Sequence, residues 1–149
     1  MTLGTNELLL RLGAATLAGL IVGLNRDLRN RPIGMRTLSL VALGSAIVVV
    51  STIQFPGIVE NSNAASRVIQ GIIQGLMAGI GFIGAGVILR DSNAQRVKGL
   101  TSAATVWVTA ALGIACGLGA WRTVAIALVL TFFVLLGLHW IEHVMFGED

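Results

Sequence analysis

The chain has 149 residues, which fits one domain, and 55% of them are hydrophobic while only 11% are charged. A water-soluble domain carries about 25% charged residues, so this composition excludes a surface that is wet on all sides. The net charge of +3 comes with few aromatics and no tyrosine, and the basic residues sit at the ends of apolar runs. That distribution is a membrane topology signal rather than a nucleic-acid-binding stripe, and no nucleic-acid partner is expected.

Five apolar runs follow one another: residues 8–24, 37–55, 69–89, 100–119 and 121–141. At about 1.5 Å per residue, runs of this length match a hydrocarbon layer of roughly 30 Å, with the first at the short limit. The last two are divided only by Gly117-Leu118-Gly119-Ala120, a glycine-rich break that suits a tight hairpin but also one long bent helix. The reading is an all-α membrane protein, a compact bundle of about five transmembrane helices forming a single domain over residues 1–149. The first run carries Arg11 and merges into a span, so it does not read as a cleavable signal peptide. Two connections, 25–36 and 90–98, hold 7 of the 10 basic residues. The positive-inside rule places both in the cytoplasm, the N-terminus outside and the C-terminus inside.

The third run is the expected centre of the bundle. Gly71, Gly75 and Gly79 recur every four residues, and Gly81, Gly84 and Gly86 follow. Each glycine costs about 1 kcal/mol against alanine in an isolated helix, but in a membrane such a stripe lets a second helix approach closely. Ala15, Gly19 and Gly23 in the first run, and Gly113 and Gly117 in the fourth, are further small-residue faces. The fifth run is bulky nearly all round and reads as peripheral. Gln70 and Gln74 on the third run, and Thr101, Thr105 and Thr109 on the fourth, form polar stripes. They serve either hydrogen bonding within and between helices or the lining of a polar pocket.

Gly79 to Gly84 spells G-x-G-x-x-G, but no strand precedes it and no acid lies about 20 residues on, so packing and not dinucleotide binding is expected. His139-Trp140-Ile141-Glu142-His143 spells H-x-x-E-H without an evident third ligand, which reads as an interfacial helix end rather than a zinc hydrolase. Cys116 stands alone, so no intrachain disulfide can form. The connection Asn25-Arg26-Asp27-Leu28-Arg29-Asn30-Arg31-Pro32-Ile33-Gly34-Met35-Arg36-Thr37 is the densest polar cluster. Pro32 and Gly34 mark a turn that can bring Asp27 to Arg36, Arg26 or Lys98 in a cytoplasmic-face network. The alternative is topology plus contact with anionic lipid. Four arginines around Asp27 oppose a divalent cation, so no metal or other cofactor is expected there.

Four segments in order resemble the MgtC/SapB family of small bacterial membrane proteins: Gly19 to Asp27, Gly34-Met35-Arg36-Thr37, Gly79 to Ile88, and Val97 to Trp107. The resemblance runs from about Arg11 to Leu138, and the chain reads as a short form without the soluble C-terminal domain of many members. Where the family has a Glu-Arg pair after the first span this chain has Asn25-Arg26, so that carboxylate's role is lost or moved to Asp27. The resemblance implies a multi-pass protein of the bacterial inner membrane, tied to growth under magnesium limitation and in some pathogens to virulence. It further implies a non-enzymatic modulator of another membrane protein, with the F-type ATP synthase or a transporter as candidates and a homodimer as a further possibility. The residues expected to carry this are Asn25, Arg26, Asp27, Arg36, Thr37 and Lys98 on the cytoplasmic face, with Gly71, Gly75, Gly79, Gly81, Gly84 and Gly86 setting helix approach. The competing expectation is a small-ion (Mg2+ or H+) transporter or channel with Gln70, Gln74, Thr101 and Thr105 lining its path. It has weaker support because no span centre carries an acid or base.

Overall fold

A computed structural model describes residues 3–55, 62–89 and 99–137. The described chain is helical: α1 Thr5–Asp27, α2 Met35–Ile53, α3 Ser62–Leu89, α4 Leu100–Leu118 and α5 Trp121–Phe132, the last running on as a π-helical turn over Phe133–Gly137. Helix is the form these runs must take in lipid, because it bonds every backbone polar group within one segment. Four helices, α1 to α4, are long and apolar enough to cross a membrane. The apolar stretch Trp121–Gly137 is shorter than the others, and the remainder of the expected fifth span, with His139 and His143, lies outside the described residues.

The glycine break after α4 is a tight turn. Gly119 adopts φ 73°, a left-handed conformation that suits glycine. Its N–H donates to the Cys116 carbonyl at 3.0 Å, and the Ala120 N–H reaches back to the Ala115 carbonyl at 2.9 Å. This paired closure is a Schellman motif, which satisfies the carbonyls a helix leaves open at its end. One long bent helix is thereby ruled out, and α5 begins two residues later.

The centre of the bundle is α4, not α3. In the most apolar stretch of each helix, 56% of α4 is buried and 11% of α3. α4 packs against α1, α2, α3 and α5. The glycines that set helix approach belong to α1 and α4. A Cβ added at Gly19 would stand 2.6 Å from Ser39 Cα, and one at Gly113 would stand 2.8 Å from Ala42 Cα. At Gly117 it would meet Val49 Cβ at 2.9 Å. The core that forms around these contacts is made of small and medium side chains, including Ala15, Val22, Leu38, Ala42, Val106 and Leu112. Without a hydrophobic drive between helices in lipid, such van der Waals closeness is what holds them together. By contrast, Gly71, Gly75, Gly79, Gly81 and Gly86 have nothing within 4 Å of an added Cβ, while Gly84 alone of the six is buried, in ordinary contact with Ala103 of α4 at 3.5 Å. The expected central glycine face of α3 therefore looks outward from this chain.

Candidate functional site around Arg26

The first helix ends in the same way as the fourth, with asparagine in place of glycine. Asn30 takes φ 50°, a left-handed position that asparagine tolerates better than most residues. Its N–H bonds the Asp27 carbonyl at 3.1 Å, while the Arg31 N–H bonds the Arg26 carbonyl at 3.0 Å. Pro32 and the buried Ile33 then return the chain to Gly34 and the start of α2. The connection between the helices is thus a fixed turn built on the backbone of Arg26 and Asp27.

The two side chains at this point go separate ways. Arg26 turns into the bundle and is 4% exposed. Its Nε donates to the Ile33 carbonyl at 2.9 Å, its Nη1 to Thr105 Oγ1 at 3.1 Å, and its Nη2 to Ser102 Oγ. Thr105 Oγ1 in turn donates to the Thr101 carbonyl at 2.7 Å, so that hydroxyl both accepts and donates. The guanidinium is held by neutral oxygens from the α1–α2 turn and from α4, and among the described residues it forms no ion pair. A buried arginine of this kind is a strap, fixing the turn to the first two turns of α4 through planar donors that lysine cannot reproduce.

Among the described residues Asp27 does not pair with an arginine. Its Oδ2 accepts the Met35 backbone N–H at 2.9 Å. Gly34, the N-cap of α2, offers no side-chain cap of its own, so the carboxylate from the end of α1 caps the start of α2. Position 34 must lack a side chain for this, because an added Cβ would collide with the Asp27 carboxylate. An anionic acceptor at a helix start also meets the positive end of the helix dipole. Asp27→Ala is expected to lower stability by about 1 kcal/mol, the usual cost of losing such a cap, and Gly34→Ala by at least as much. Thermal unfolding in detergent checks both; an unchanged Gly34→Ala would remove the cap from this account.

A second arginine ties α1 to the other end of α4. Arg11 Nη1 donates to the Gly117 carbonyl at 2.8 Å, and Glu7 Oε1 accepts from Arg11 Nε at 2.8 Å, four residues away along the same helix. Arg11 and Arg26 are 15 residues apart, about 22 Å along a helix axis. Their partners run in the reverse direction along α4, so the two helices are antiparallel and strapped at both ends.

The remaining expected site residues do not join this cluster. Asn25 is half-buried, Arg36 and Thr37 are exposed, and Lys98 lies outside the described residues. The stripes expected to line one pocket do not face each other: Gln70, Gln74 and Thr101 are exposed, while Thr105 is buried against Arg26. Thr109 donates to the Thr105 carbonyl at 2.8 Å, the back-bonding that satisfies a hydroxyl within its own helix. Among the described residues no three His, Cys, Asp or Glu side chains gather where they could hold a metal. Sequence reasoning missed Ser102, Ile33, Gly34 as the cap's clearance, and the Arg11 strap. An arginine inside an apolar span was the available signal for the last of these, since such residues almost always face a bundle interior and find partners there.

Spanning helices locked through small residues, with a guanidinium buried between the first and the fourth, define a multi-pass α-helical membrane protein. The MgtC family matches residues 12–144, and the chain belongs to that family. It is 48% identical to protein SrpB of Synechococcus elongatus over 86% of this chain and 71% of SrpB. It is 37% identical to protein SapB of Bacillus subtilis over 91% of this chain and 58% of SapB. Against protein MgtC of Salmonella typhimurium it is 37% identical over 82% of this chain and 48% of MgtC. The chain thus spans only about half to seven-tenths of the length of these relatives. No solved structure matches it.

Proposed function

We propose that this chain is a non-enzymatic modulator in the bacterial inner membrane, linked to magnesium homeostasis, which acts by docking another membrane protein. Its likeness to SapB and MgtC supports the physiological setting, and the positive-inside rule supports a cytoplasmic α1–α2 turn with the N-terminus outside. The observation that carries the docking reading is the outer face of α3. Arg67, Gln70 and Gln74 are exposed along one side of that helix, beside glycines with open space above them. Gln74 is the tenth residue of the stretch Ala65–Ile88, about 14 Å from its start and close to mid-membrane. An amide facing hydrocarbon without a hydrogen-bond partner costs several kcal/mol. A polar helix face of this kind is satisfied by a second protein whose helix supplies donors and acceptors and can approach the bare glycine backbone. The F-type ATP synthase or a transporter fits the family expectation, and a second copy of the chain offers the same chemistry.

The test is Gln70→Leu/Gln74→Leu. The double variant is expected to fold and insert as the parent does, yet to lose at least 80% of the growth advantage the parent confers in low magnesium and to lose co-purifying membrane proteins. Full complementation by the double variant would overturn the docking face. Magnesium or proton flux by the purified protein in liposomes, abolished by Thr105→Val, would replace this reading with that of a small-ion transporter.

A further inference from the structure

We infer that Arg29, Arg31 and Arg36 form a recognition site for the phosphate of anionic phospholipid headgroups, placed where the lipid-facing sides of α1 and α2 end. This is a separate surface from the α3 face and does not depend on it.

The first ground is charge. Four arginines lie between residues 26 and 36, with one carboxylate among them, that of Asp27. That carboxylate is engaged by the Met35 N–H, and Arg26 is turned into the bundle. Arg29, Arg31 and Arg36 are left exposed, and among the described residues none of them enters an ion pair. Three guanidiniums with no carboxylate partner among the described residues suit an external anion, and their planar forks match phosphate oxygens in paired bonds.

The second ground is position. Leu24 on α1 and Leu28 just past its end are exposed, and Leu28 is 76% exposed immediately before Arg29. On α2 the exposed Arg36 lies one turn before Leu40, which is 68% exposed. Both apolar stripes run up to an arginine. A ligand lying along either stripe has a hydrocarbon part beside Leu28 or Leu40 and an anionic part beside the arginine that ends the stripe. That is the chemistry of a phospholipid and not of a free phosphate ion. It also separates these three residues from Arg26, which faces helices instead of lipid.

The third ground is rigidity. The Asn30 and Arg31 N–H bonds to the carbonyls of α1, the buried Ile33 and the bond from Arg26 Nε fix the turn from inside. Arginines displayed on a fixed backbone lose less freedom on binding than those on a loose loop.

Native mass spectrometry of the purified full chain, titrated with phosphatidylglycerol and phosphatidylcholine of matched acyl chains, tests the inference. The expected result is at least ten-fold tighter retention of phosphatidylglycerol, since each basic group near an anionic surface contributes about five-fold. Arg29→Gln/Arg31→Gln/Arg36→Gln should bring that preference below two-fold with its unfolding temperature unchanged. If the triple variant fails to fold, each single variant should still weaken the preference by two- to five-fold. Equal retention of the two lipids by the parent, or a preference undiminished in the variants, overturns the assignment. Inorganic phosphate that binds as tightly as phosphatidylglycerol overturns it too, in favour of a soluble anion.

Discussion

Arg26→Met should lower the stability of the detergent-solubilised protein by about 3 kcal/mol. The side chain makes three hydrogen bonds to buried partners, and bonds to a charged group are worth roughly 1.5–3 kcal/mol each. Part of that is offset because the variant no longer holds a cation away from water. Arg26→Lys should recover less than half of the loss, because one ammonium cannot reach the turn and both α4 hydroxyls through a planar fork. Ser102→Ala and Thr105→Val should each cost about 1–2 kcal/mol, by leaving a buried charge short of an acceptor. Combined with Arg26→Met they should add almost nothing, since all three changes act on one cluster. Chemical or thermal unfolding of the single and combined variants checks the whole set. Full additivity would mean that the arginine and the α4 hydroxyls do not act as one unit.

Two glycine substitutions should move stability in opposite directions. Gly113→Ala puts a methyl group 2.8 Å from Ala42 Cα, against backbone that cannot swing aside as a flexible side chain would. Separating α2 from α4 enough to admit it should cost about 2–3 kcal/mol, the upper part of the usual range for overpacking. Gly79→Ala meets open space on the outer side of α3, so the helix should gain roughly 0.5–1 kcal/mol from the stiffer residue. Thermal unfolding of the isolated protein separates the two cases. A loss for Gly79→Ala comparable to that for Gly113→Ala would show that α3 is packed through its glycines after all. If α3 docks a partner, Gly79→Leu should weaken that association while leaving the unfolding of the isolated chain near that of the parent.

The helices were legible in the sequence because their cause is local. Apolar runs of bilayer length must be helical, and Gly117 to Ala120 has the residues a turn needs. Which helix stands in the middle was not legible. The four-residue spacing of Gly71, Gly75 and Gly79 follows the same rule as that of Ala15, Gly19 and Gly23, and periodicity says which residues share a face without saying what faces them. Only the packed structure, in which Gly19 of α1 and Gly113 and Gly117 of α4 all meet α2, shows where close approach occurs. The site divides in the same way. Arg26 and Asp27 stood out by charge, but the partners of Arg26 on α4 are 76 and 79 residues away in the chain. Asp27 looked like one half of an ion pair because four arginines surround it in sequence. What decided otherwise was a residue without a side chain, Gly34, whose bareness lets a carboxylate reach a backbone N–H.

The distance along the chain between the two halves of the Arg26 strap sets a sequence of events during synthesis. The hairpin of α1 and α2 completes its own capping with residues 27 to 35, so it can enter the bilayer as a finished unit. Its guanidinium then waits for Ser102, 76 residues later, which at about 5–20 residues per second is roughly 4–15 seconds of elongation. Throughout that interval, of its three acceptors in the folded chain, only the Ile33 carbonyl has been made. Its bonds to Ser102 and Thr105 can form only once α4 has been made, so this side chain is among the last parts of the bundle to be fixed. A nascent chain stalled before residue 102 should hold its first hairpin in the membrane with Arg26 still open to water-borne reagents.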